Sequence, residues 1–244
     1  RRSIRKFLKK PISKELLTLL LAAAQSAPSK SNLQQYSILV IQDQNIKNEI
    51  SNLIGNTKWA LTAPNFFLFL ADIRRNIKIT NYRGYDHKNN NVDTFMNGVI
   101  DAALSMQSTI CASESLGLGV CPISMIRNII DEVKVICKLP KGVFPIAGLA
   151  IGWPDQKSKV SIRLPQNIVT HFDKYNEKDL VNKINQYDEK VFKKDPIPEN
   201  MQRHVDLYGV AKKGTWSENI SRQLSVPERS NFKNWLKENG FNLE

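Results

Sequence analysis

The sequence has few of the residues that build metal centres and disulfide frameworks. Its 244 residues include only three cysteines and three histidines. Neither set has the spacing of metal ligands or the even count of a disulfide framework. We therefore predict no metal site, and we interpret Cys111, Cys121 and Cys137, which all lie in apolar stretches, as buried thiols of a reducing compartment.

Several motifs of nucleotide and acyl chemistry are also missing. The sequence contains no GxGxxG turn after a strand, no GxxxxGK[ST] loop, no HExxH helix and no GxSxG elbow. It therefore gives no signal for a Rossmann fold, a P-loop, a zinc peptidase or an α/β-hydrolase. It also lacks a secretory signal and a membrane-spanning run, so we expect a cytoplasmic protein without a membrane partner. Because the sequence starts at Arg1 rather than methionine, we expect a short N-terminal stretch to precede it.

Acidic residues are outnumbered by basic ones. The chain has 35 Lys and Arg against 23 Asp and Glu, a formal net charge of +12. Such a surplus attracts polyanions and phosphorylated ligands, but it also serves solubility, and charge alone leaves both open. A nucleic-acid-binding protein is the competing hypothesis. Because the basic residues are not interleaved with aromatic residues on one predictable surface, we predict no nucleic-acid partner.

The longest apolar segment spans residues 95–128 and predicts a central helix. Its apolar residues recur near helical spacing, and small uncharged residues occupy the positions between them, which predicts burial on nearly all sides. The segment is too short and too rich in hydroxyl groups to cross a bilayer. We predict that Gly117 and Gly119 end the helix and that the chain then runs extended through Val120, Pro122 and Ile123.

The rest of the chain predicts alternating helices and strands within one large domain. The predicted elements are a helix after the N-cap Ser13, a strand at 36–41, a helix at 45–54, a strand at 65–70, a polar surface segment at 72–91, a helix at 127–139 and a strand at 143–153. The strands at 65–70 and 143–153 are apolar throughout and belong at the centre of a sheet. Gly148 and Gly152 predict close backbone packing. We assign residues 1–175 to the core and residues 176–244 to a helical extension that wraps the core or a partner subunit.

Two polar segments are candidate binding elements. If the N-terminal arm is extended, Arg1, Ser3 and Arg5 project from one face, a set that suits a phosphate and an electron-rich ring. A solvated basic tail is the alternative, and these residues alone favour it. The loop from Ser29 to Asn32 precedes a strand and could hydrogen-bond a ligand or serve as an ordinary connector.

The order of several motifs resembles the nitroreductase superfamily, and within it the NADPH-dependent flavin reductases and oxygen-insensitive nitroreductases. These motifs are RRSIRKF, APSKSNLQQYSI, APNFFLFLAD, ASESLGLGV, RNI, LPKGVFPIAGLAIGWP, IRLP and TWSENISRQL. The similarity covers essentially the whole chain. It implies an α+β fold, with a central, mainly antiparallel sheet flanked by helices. It also implies an intertwined homodimer whose non-covalent FMN touches both subunits.

The resemblance also implies which residues bind the cofactors. The implied FMN-binding residues are Arg1, Arg2, Ser3, Arg5, Ser29, Lys30, Ser31, Thr57, Pro122, Ile123, Ser124, Met125, Ser161 and Arg163. Three departures stand out: PISM replaces an aromatic followed by a glycine pair, Thr57 replaces a glutamine, and Ser161 replaces a lysine. For the 2′-phosphate of NADPH we nominate Arg229, with Lys212 and Lys213 as neighbours. The alternative for these lysines is a solvated connector.

The implied function is an FMN-dependent oxidoreductase with a ping-pong cycle. NADPH would deliver hydride to the flavin N5, and a nitroaromatic, quinone, flavin or azo compound would then accept the electrons. Because the flavin would carry the chemistry, we predict no catalytic nucleophile or acid–base pair in the protein. The same fold with a specialised reaction, such as flavin destruction, dehalogenation or disulfide reduction, is the other hypothesis.

Overall fold

The computed structural model describes residues 1–244, apart from the side chains of residues 56 and 58. The chain forms two compact units. The first comprises Arg1–Val160 together with Asn231–Glu244, and the second comprises Ser161–Ser230. Residues 176–244, predicted as one extension, are thus divided between the two units.

A four-stranded antiparallel sheet organises the first unit. Its strands are β1 (Tyr36–Ile41), β2 (Asn65–Asp72), β3 (Gly119–Ile123) and β4 (Val143–Gly152), in the order β1-β2-β4-β3. Every residue of β2 and β4 is buried, which confirms the two predicted central strands. Strands β1 and β3 form the edges. The α+β prediction with an antiparallel sheet is confirmed.

Ten α-helices surround or follow the sheet in the described chain. They are α1 (Lys14–Gln25), α2 (Gln44–Leu53), α3 (Arg74–Tyr82), α4 (Val92–Ser115), α5 (Ile130–Ile136), α6 (Gln166–Val169), α7 (Leu180–Lys194), α8 (Val205–Tyr208), α9 (Trp216–Leu224) and α10 (Phe232–Glu238). Short 3-10 helices lie at Lys30–Asn32, Gly55–Thr62, Ser124–Ile129 and Glu199–Met201. Within the described residues, no helix is apolar over a length that would cross a membrane.

The helices agree with the sequence predictions in part. The hydroxyl of Ser13 accepts a hydrogen bond from the Leu16 N–H and caps α1, as predicted. The segment at 72–91, predicted only as a polar surface segment, contains helix α3, which has a few apolar residues among polar ones. The single helix predicted at 127–139 is instead a 3-10 helix followed by the shorter α5.

The core of the first unit has two layers, one on each face of the sheet. Alternate residues of β2 point to opposite faces, so Phe67 and Phe69 join one cluster while Phe66 and Leu68 join the other. Helices α1, α4 and α10 contribute to the first cluster, and α2 and α5 contribute to the second. The central strands are apolar throughout because both of their faces are covered.

Glycines allow close backbone approach at three points. A Cβ on Gly148 would overlap the Phe66 ring, and a Cβ on Gly152 would lie 2.6 Å from Pro64 Cδ, which confirms the predicted packing. Gly117 has a φ of +79° and ends α4. The prediction that Gly119 also ends the helix is wrong, since Gly119 instead makes room for Ile4, whose Cγ1 would lie 2.7 Å from an added Cβ.

One face of α4 is exposed, and the prediction of a helix buried on nearly all sides is wrong. We call four of its exposed residues the α4 stripe: the apolar Met96, Ile100 and Leu104, and Cys111. Met96 is 52% exposed and Ile100 is 48% exposed. A helix with so few charged residues gives little sequence signal for which of its faces lacks a neighbour, so only the packing of the chain reveals this one.

The three thiols have different environments. Cys121 is buried and Cys137 is partly buried, but Cys111 is exposed on the α4 stripe, so the prediction of three buried thiols is wrong for Cys111. Burial, aided by the negative charge of Glu49, raises the pKa of Cys137 to about 11. At neutral pH this thiol is therefore protonated and inert.

A buried carboxylate in the middle of α4 holds the loop that precedes β1. Asp101 is 1% exposed. It accepts hydrogen bonds from the Ser29 hydroxyl at 2.8 Å, the Lys30 N–H at 3.2 Å and the Gln35 N–H at 2.9 Å. Asp93, on the same helix, contacts this loop only through an exposed ion pair with Lys30 at 3.7 Å.

The second unit is built around helices α7 and α9. Tyr187 packs edge-on against Trp216, with ring centroids 5.4 Å apart. The buried carboxylate of Asp188 accepts hydrogen bonds from the backbone N–H and the hydroxyl of Ser217, at the first turn of α9. Arg222, also buried, donates to Glu218 at 2.7 Å. The hydrogen bonds of Asp188 join α7 to α9, whereas the Arg222–Glu218 pair lies within α9.

The contrast between the two aspartates of α4 predicts different costs of removal. We expect Asp101→Ala to lower the free energy of unfolding by about 2–4 kcal/mol, because buried N–H groups lose a charged acceptor. The matched control Asp93→Ala loses an exposed ion pair, an exposed hydrogen bond from Asn97 and a first-turn negative charge, so we expect a change of at most about 1 kcal/mol. Chemical denaturation of both variants measures this, and equal losses would show that Asp101 does not hold the loop.

Candidate functional site

The N-terminal arm is a fixed part of the sheet edge. Ser3 forms a parallel bridge with Val120 of β3, and the Ile4 N–H donates to the Val120 carbonyl at 3.0 Å. Further along, the Leu8 N–H donates to the Trp153 carbonyl at 2.9 Å. Ile4 is only 7% exposed. The alternative of a solvated basic tail, which the arm residues alone favoured, is therefore wrong.

Three polar side chains of the arm converge on one point of β3. Burial raises the pKa of the Cys121 thiol, and this rise is opposed by the charge of Arg5, a hydrogen bond from Ser3 and the charge of Arg1. Arg1 also donates to the Ser3 hydroxyl at 3.4 Å. The predicted alternation thus places Arg1, Ser3 and Arg5 together beside Cys121. We call these three residues the arm cluster.

Arg2 does not belong to the arm cluster. Its side chain is exposed, and its backbone N–H donates to the Glu114 carboxylate at 3.2 Å, near the end of α4. This hydrogen bond ties the arm to α4.

The turn after β3 lies next to the arm cluster, because Cys121 belongs to the same strand. Pro122 and Ile123 end β3, paired with Leu149 and Gly148 of β4. Ser124 then opens a 3-10 helix, and the first N–H groups of such a helix have no carbonyl partner within it. Along the chain, these backbone donors begin three residues after Cys121.

Met125 and Thr57 take less direct positions. The Met125 sulfur lies 3.5 Å from the Asn128 side-chain nitrogen, within the 3-10 helix that follows β3. The Thr57 hydroxyl donates to the Ile54 carbonyl at 2.9 Å, so part of its hydrogen-bonding capacity is used locally. In the same segment, the Trp59 ring lies 5.8 Å from the Arg5 guanidinium. Sequence reasoning missed Trp59, although it is the only aromatic residue of the Gly55–Thr62 helix.

The serine loop is anchored at a different place. Ser29 and Lys30 are held by Asp101, and Ser31 adopts a left-handed conformation with a φ of 50°. The arm is tied to Glu114 on the same helix. At about 1.5 Å per residue, Asp101 and Glu114 lie roughly 20 Å apart along the helix axis. A single chain therefore does not bring the anchors of the two elements together.

Asp101 was also missed, although the sequence carries a signal for it. It is the only charged residue between Thr94 and Ser113, in an otherwise uncharged stretch. A lone carboxylate in a buried helix requires hydrogen-bond donors, which indicates a positioning role. The loop that supplies these donors is distant in sequence, and only the fold identifies it.

The other predicted residues belong to the second unit. Ser161 and Arg163 precede α6 and are exposed. Burial and the charge of Asp188 raise the pKa of Tyr187, while the charge of Arg163 lowers it. The Tyr187 hydroxyl donates to the Ile162 carbonyl at 3.1 Å. The segment from 161 to 163 is thus attached to α7 within this unit.

The proposed NADPH residues have carboxylates close by. Lys212 and Lys213 line a cavity of about 710 Å³ in the second unit. The Lys213 ammonium lies 2.9 Å from the Glu189 carboxylate. Arg229 has a φ of 53°, and its guanidinium lies 3.1 Å from the Glu228 carboxylate. If a phosphate were bound, Lys213 would have to share its charge between Glu189 and the phosphate, and Arg229 between Glu228 and the phosphate.

Comparison with known proteins covers both parts of the chain. The profile described as the nitroreductase family matches residues 1–153, and that of its C-terminal domain matches residues 162–244. The FMN reductase [NAD(P)H] of Bacillus subtilis is 34% identical, covering 100% of this chain and 95% of that protein. The oxygen-insensitive NADPH nitroreductase of Salmonella typhimurium is 32% identical, covering 98% and 94%.

A solved structure agrees with these relatives. The NfrA1 nitroreductase from B. subtilis superposes with a TM-score of 0.89 at 33% identity, covering 99% of this chain and 96% of that one. Over nearly its whole length, the chain therefore belongs to the nitroreductase family.

Proposed function

We propose that this chain is an FMN-dependent NAD(P)H oxidoreductase that reduces small aromatic acceptors. The observation that carries the proposal is the arm cluster of Arg1, Ser3 and Arg5, held against β3 beside the turn at Ile123 and Ser124. The relatives named FMN reductase and NADPH nitroreductase support it, since they align with nearly the whole chain.

The donor chemistry of this site fits FMN. Two guanidiniums and a hydroxyl offer charge-assisted hydrogen bonds to a phosphate or to the carbonyl oxygens of a flavin ring. The backbone donors that follow Ile123 would lie along the ring edge without adding charge. The residues from Pro122 to Met125 are bulkier than the glycine pair expected there, which narrows the room for the ring but leaves the backbone donors in place.

Bound FMN would supply the redox chemistry, by taking hydride from NAD(P)H and passing electrons to the acceptor in a ping-pong cycle. The protein residues would bind and orient. Arg5 would stabilise the negative charge that reduction places on the ring. Ser161 and Arg163 would add phosphate contacts, and Thr57 would lie at the ring edge. The acceptors would be nitroaromatics, quinones, free flavins and azo compounds, because an open stacking face of the flavin discriminates poorly among flat rings.

A homodimer completes this proposal. The serine loop and the arm are anchored roughly 20 Å apart along α4 in one chain, so a flavin that contacts both would take the loop of a second copy. The α4 stripe offers a surface for that copy, since Met96, Ile100 and Leu104 are exposed apolar residues in a row. Ser29, Lys30 and Ser31 would then contact the flavin of the other subunit.

The 2′-phosphate of NADPH would be bound by Arg229, with Lys212 as a second cation. Lys213, like Arg229, already has a carboxylate partner, in its case Glu189, and would give up part of that pairing to bind the phosphate. A phosphate would have to compete with that carboxylate for the same charge.

An absorption spectrum tests the function directly. We expect protein reconstituted with FMN to show flavin bands that bleach when NADPH is added without oxygen. The bands should return when a quinone or nitroaromatic is supplied, because the acceptor removes the electrons. Protein that stays colourless after incubation with FMN and gel filtration would refute the proposal.

A charge on the α4 stripe tests the homodimer. We expect Leu104→Glu to shift the protein from dimer to monomer in analytical ultracentrifugation and to weaken FMN binding at least about tenfold, since a buried unpaired carboxylate is costly. The matched control Val135→Glu changes an exposed valine on α5, outside the stripe, and should leave both properties unchanged. Dimers of Leu104→Glu at wild-type stability would contradict the assignment of this surface.

Replacing Arg229 tests the NADPH site. We expect Arg229→Ala to raise KM for NADPH about tenfold and to leave KM for NADH nearly unchanged, because only NADPH carries the 2′-phosphate that the guanidinium would bind. Arg203→Ala, an exposed arginine of the same unit, is the control. An unchanged KM for NADPH, or an equal rise for both nucleotides, would refute the nomination.

A further inference from the structure

A second cavity lies in the first unit, at the N-terminal end of α4. It has a volume of about 600 Å³, within the usual range for small-molecule sites. Its walls come from the loop before β1, from α3, from residues 86–91 and from the first turns of α4. Side-chain amides are the commonest lining group, and they include Gln34, Gln35, Asn76, Asn89 and Asn97. We call this space the amide cavity.

Three charged residues of the wall, Arg75, Lys30 and Asp93, are paired with protein groups, whereas Asp86 and Lys88 are exposed to solvent. Arg75 donates to the carbonyls of Gln34 and Tyr36, each at 3.1 Å, and forms an ion pair with Asp72 at 3.3 Å. Lys30 forms its ion pair with Asp93. The ligand that suits this wall is therefore neutral where it meets the amides, and it must offer both hydrogen-bond donors and acceptors.

Gln35 indicates which donor the ligand needs. Its side chain is only 3% exposed, yet its Oε1 has no hydrogen-bond partner among the described residues. A buried acceptor without a donor is unfavourable, and a ligand N–H would satisfy it. The backbone of Gln35 is fixed, because its N–H donates to Asp101 and its carbonyl accepts from the Asp72 N–H at 2.9 Å. The side chain is therefore held in the cavity wall by rigid surroundings.

We propose that the amide cavity binds a planar heterocycle in which an N–H donor lies beside an acceptor, and that Gln35 pairs with this edge. Asparagine and glutamine amides recognise such edges through two parallel hydrogen bonds. The pyrimidine edge of a flavin acceptor and the adenine of NADPH both carry one. Quinones and simple nitroaromatics carry no N–H, so they gain nothing from Gln35.

The location of the cavity connects it to the flavin, and this step rests on the proposed function. Lys30 and Asn32 line the cavity and belong to the loop proposed to reach the flavin of the second subunit. Asn97 lies beside Met96, at one end of the α4 stripe. The cavity would therefore open next to the partner's flavin and would favour heterocyclic substrates over quinones.

Steady-state kinetics of Gln35→Leu tests the proposal. Leucine keeps the volume but removes both amide groups. The substrates are riboflavin, 3-methylriboflavin, p-benzoquinone and NADPH. If the flavin edge binds here, we expect KM for riboflavin to rise about tenfold, with 3-methylriboflavin already weak in the wild type and unchanged in the variant. If adenine binds here, KM for NADPH rises instead with every acceptor. In both cases KM for p-benzoquinone stays within twofold.

Two further variants keep the test decisive. Asn97→Leu should give the same selective rise of a few-fold, and it carries the test if Gln35→Leu does not fold. Gln44→Leu, an exposed glutamine on α2 outside the cavity, is the matched control. Unchanged KM values for riboflavin and NADPH, or an equal rise for all substrates including the quinone, would overturn the proposal.

Failure of the proposed function would look different. Wild-type protein would then lack a flavin spectrum and would reduce no acceptor. An active, flavin-containing enzyme whose KM values ignore Gln35 and Asn97 would refute only the role of the amide cavity.

Discussion

The pairing of the N-terminal arm with β3 is the contact on which the candidate site depends. It requires Gly119, since a side chain there would collide with Ile4. Ile4 is buried and its N–H is bonded to Val120. Because side chains alternate along an extended backbone, Arg1, Ser3 and Arg5 lie on the face opposite Ile4 and meet beside Cys121. Two arginines that would otherwise repel one another are held together by backbone hydrogen bonds and apolar burial.

Helix α4 sets the distance between the two proposed binding elements. Glu114 holds the arm near one end, and Asp101 holds the serine loop closer to the other. Because a helix is rigid along its axis, the two anchor residues stay roughly 20 Å apart within one chain. The same helix leaves its stripe of apolar residues uncovered. Separation of the elements and exposure of the stripe both favour a site shared between two copies.

Charge in this protein is distributed rather than concentrated. The net charge of +12 left open whether the basic residues attract an anionic ligand or only keep the protein soluble. In the second unit, however, Lys213 and Arg229 have carboxylates beside them, and in the first unit Arg75 is bound by carbonyls and Asp72. The arm cluster, with its two guanidiniums, and the amide cavity, lined mainly by side-chain amides, therefore suit two different kinds of recognition, one of anions and one of hydrogen-bonding heterocycles.

The sequence by itself determined the central strands, the Ser13 cap and the family. Runs such as NFFLFLAD and VFPIAGLAIG are stable only when both faces of the strand are buried, and the order of motifs is enough to identify the nitroreductase family. Tertiary structure alone decided which face of α4 stays exposed, that Cys111 lies on it, and that Asp101 bonds a loop far away in sequence. These features depend on which part of the chain packs against each side chain. The periodicity of apolar residues in a sequence indicates that a face is buried, but it does not indicate which segment covers that face.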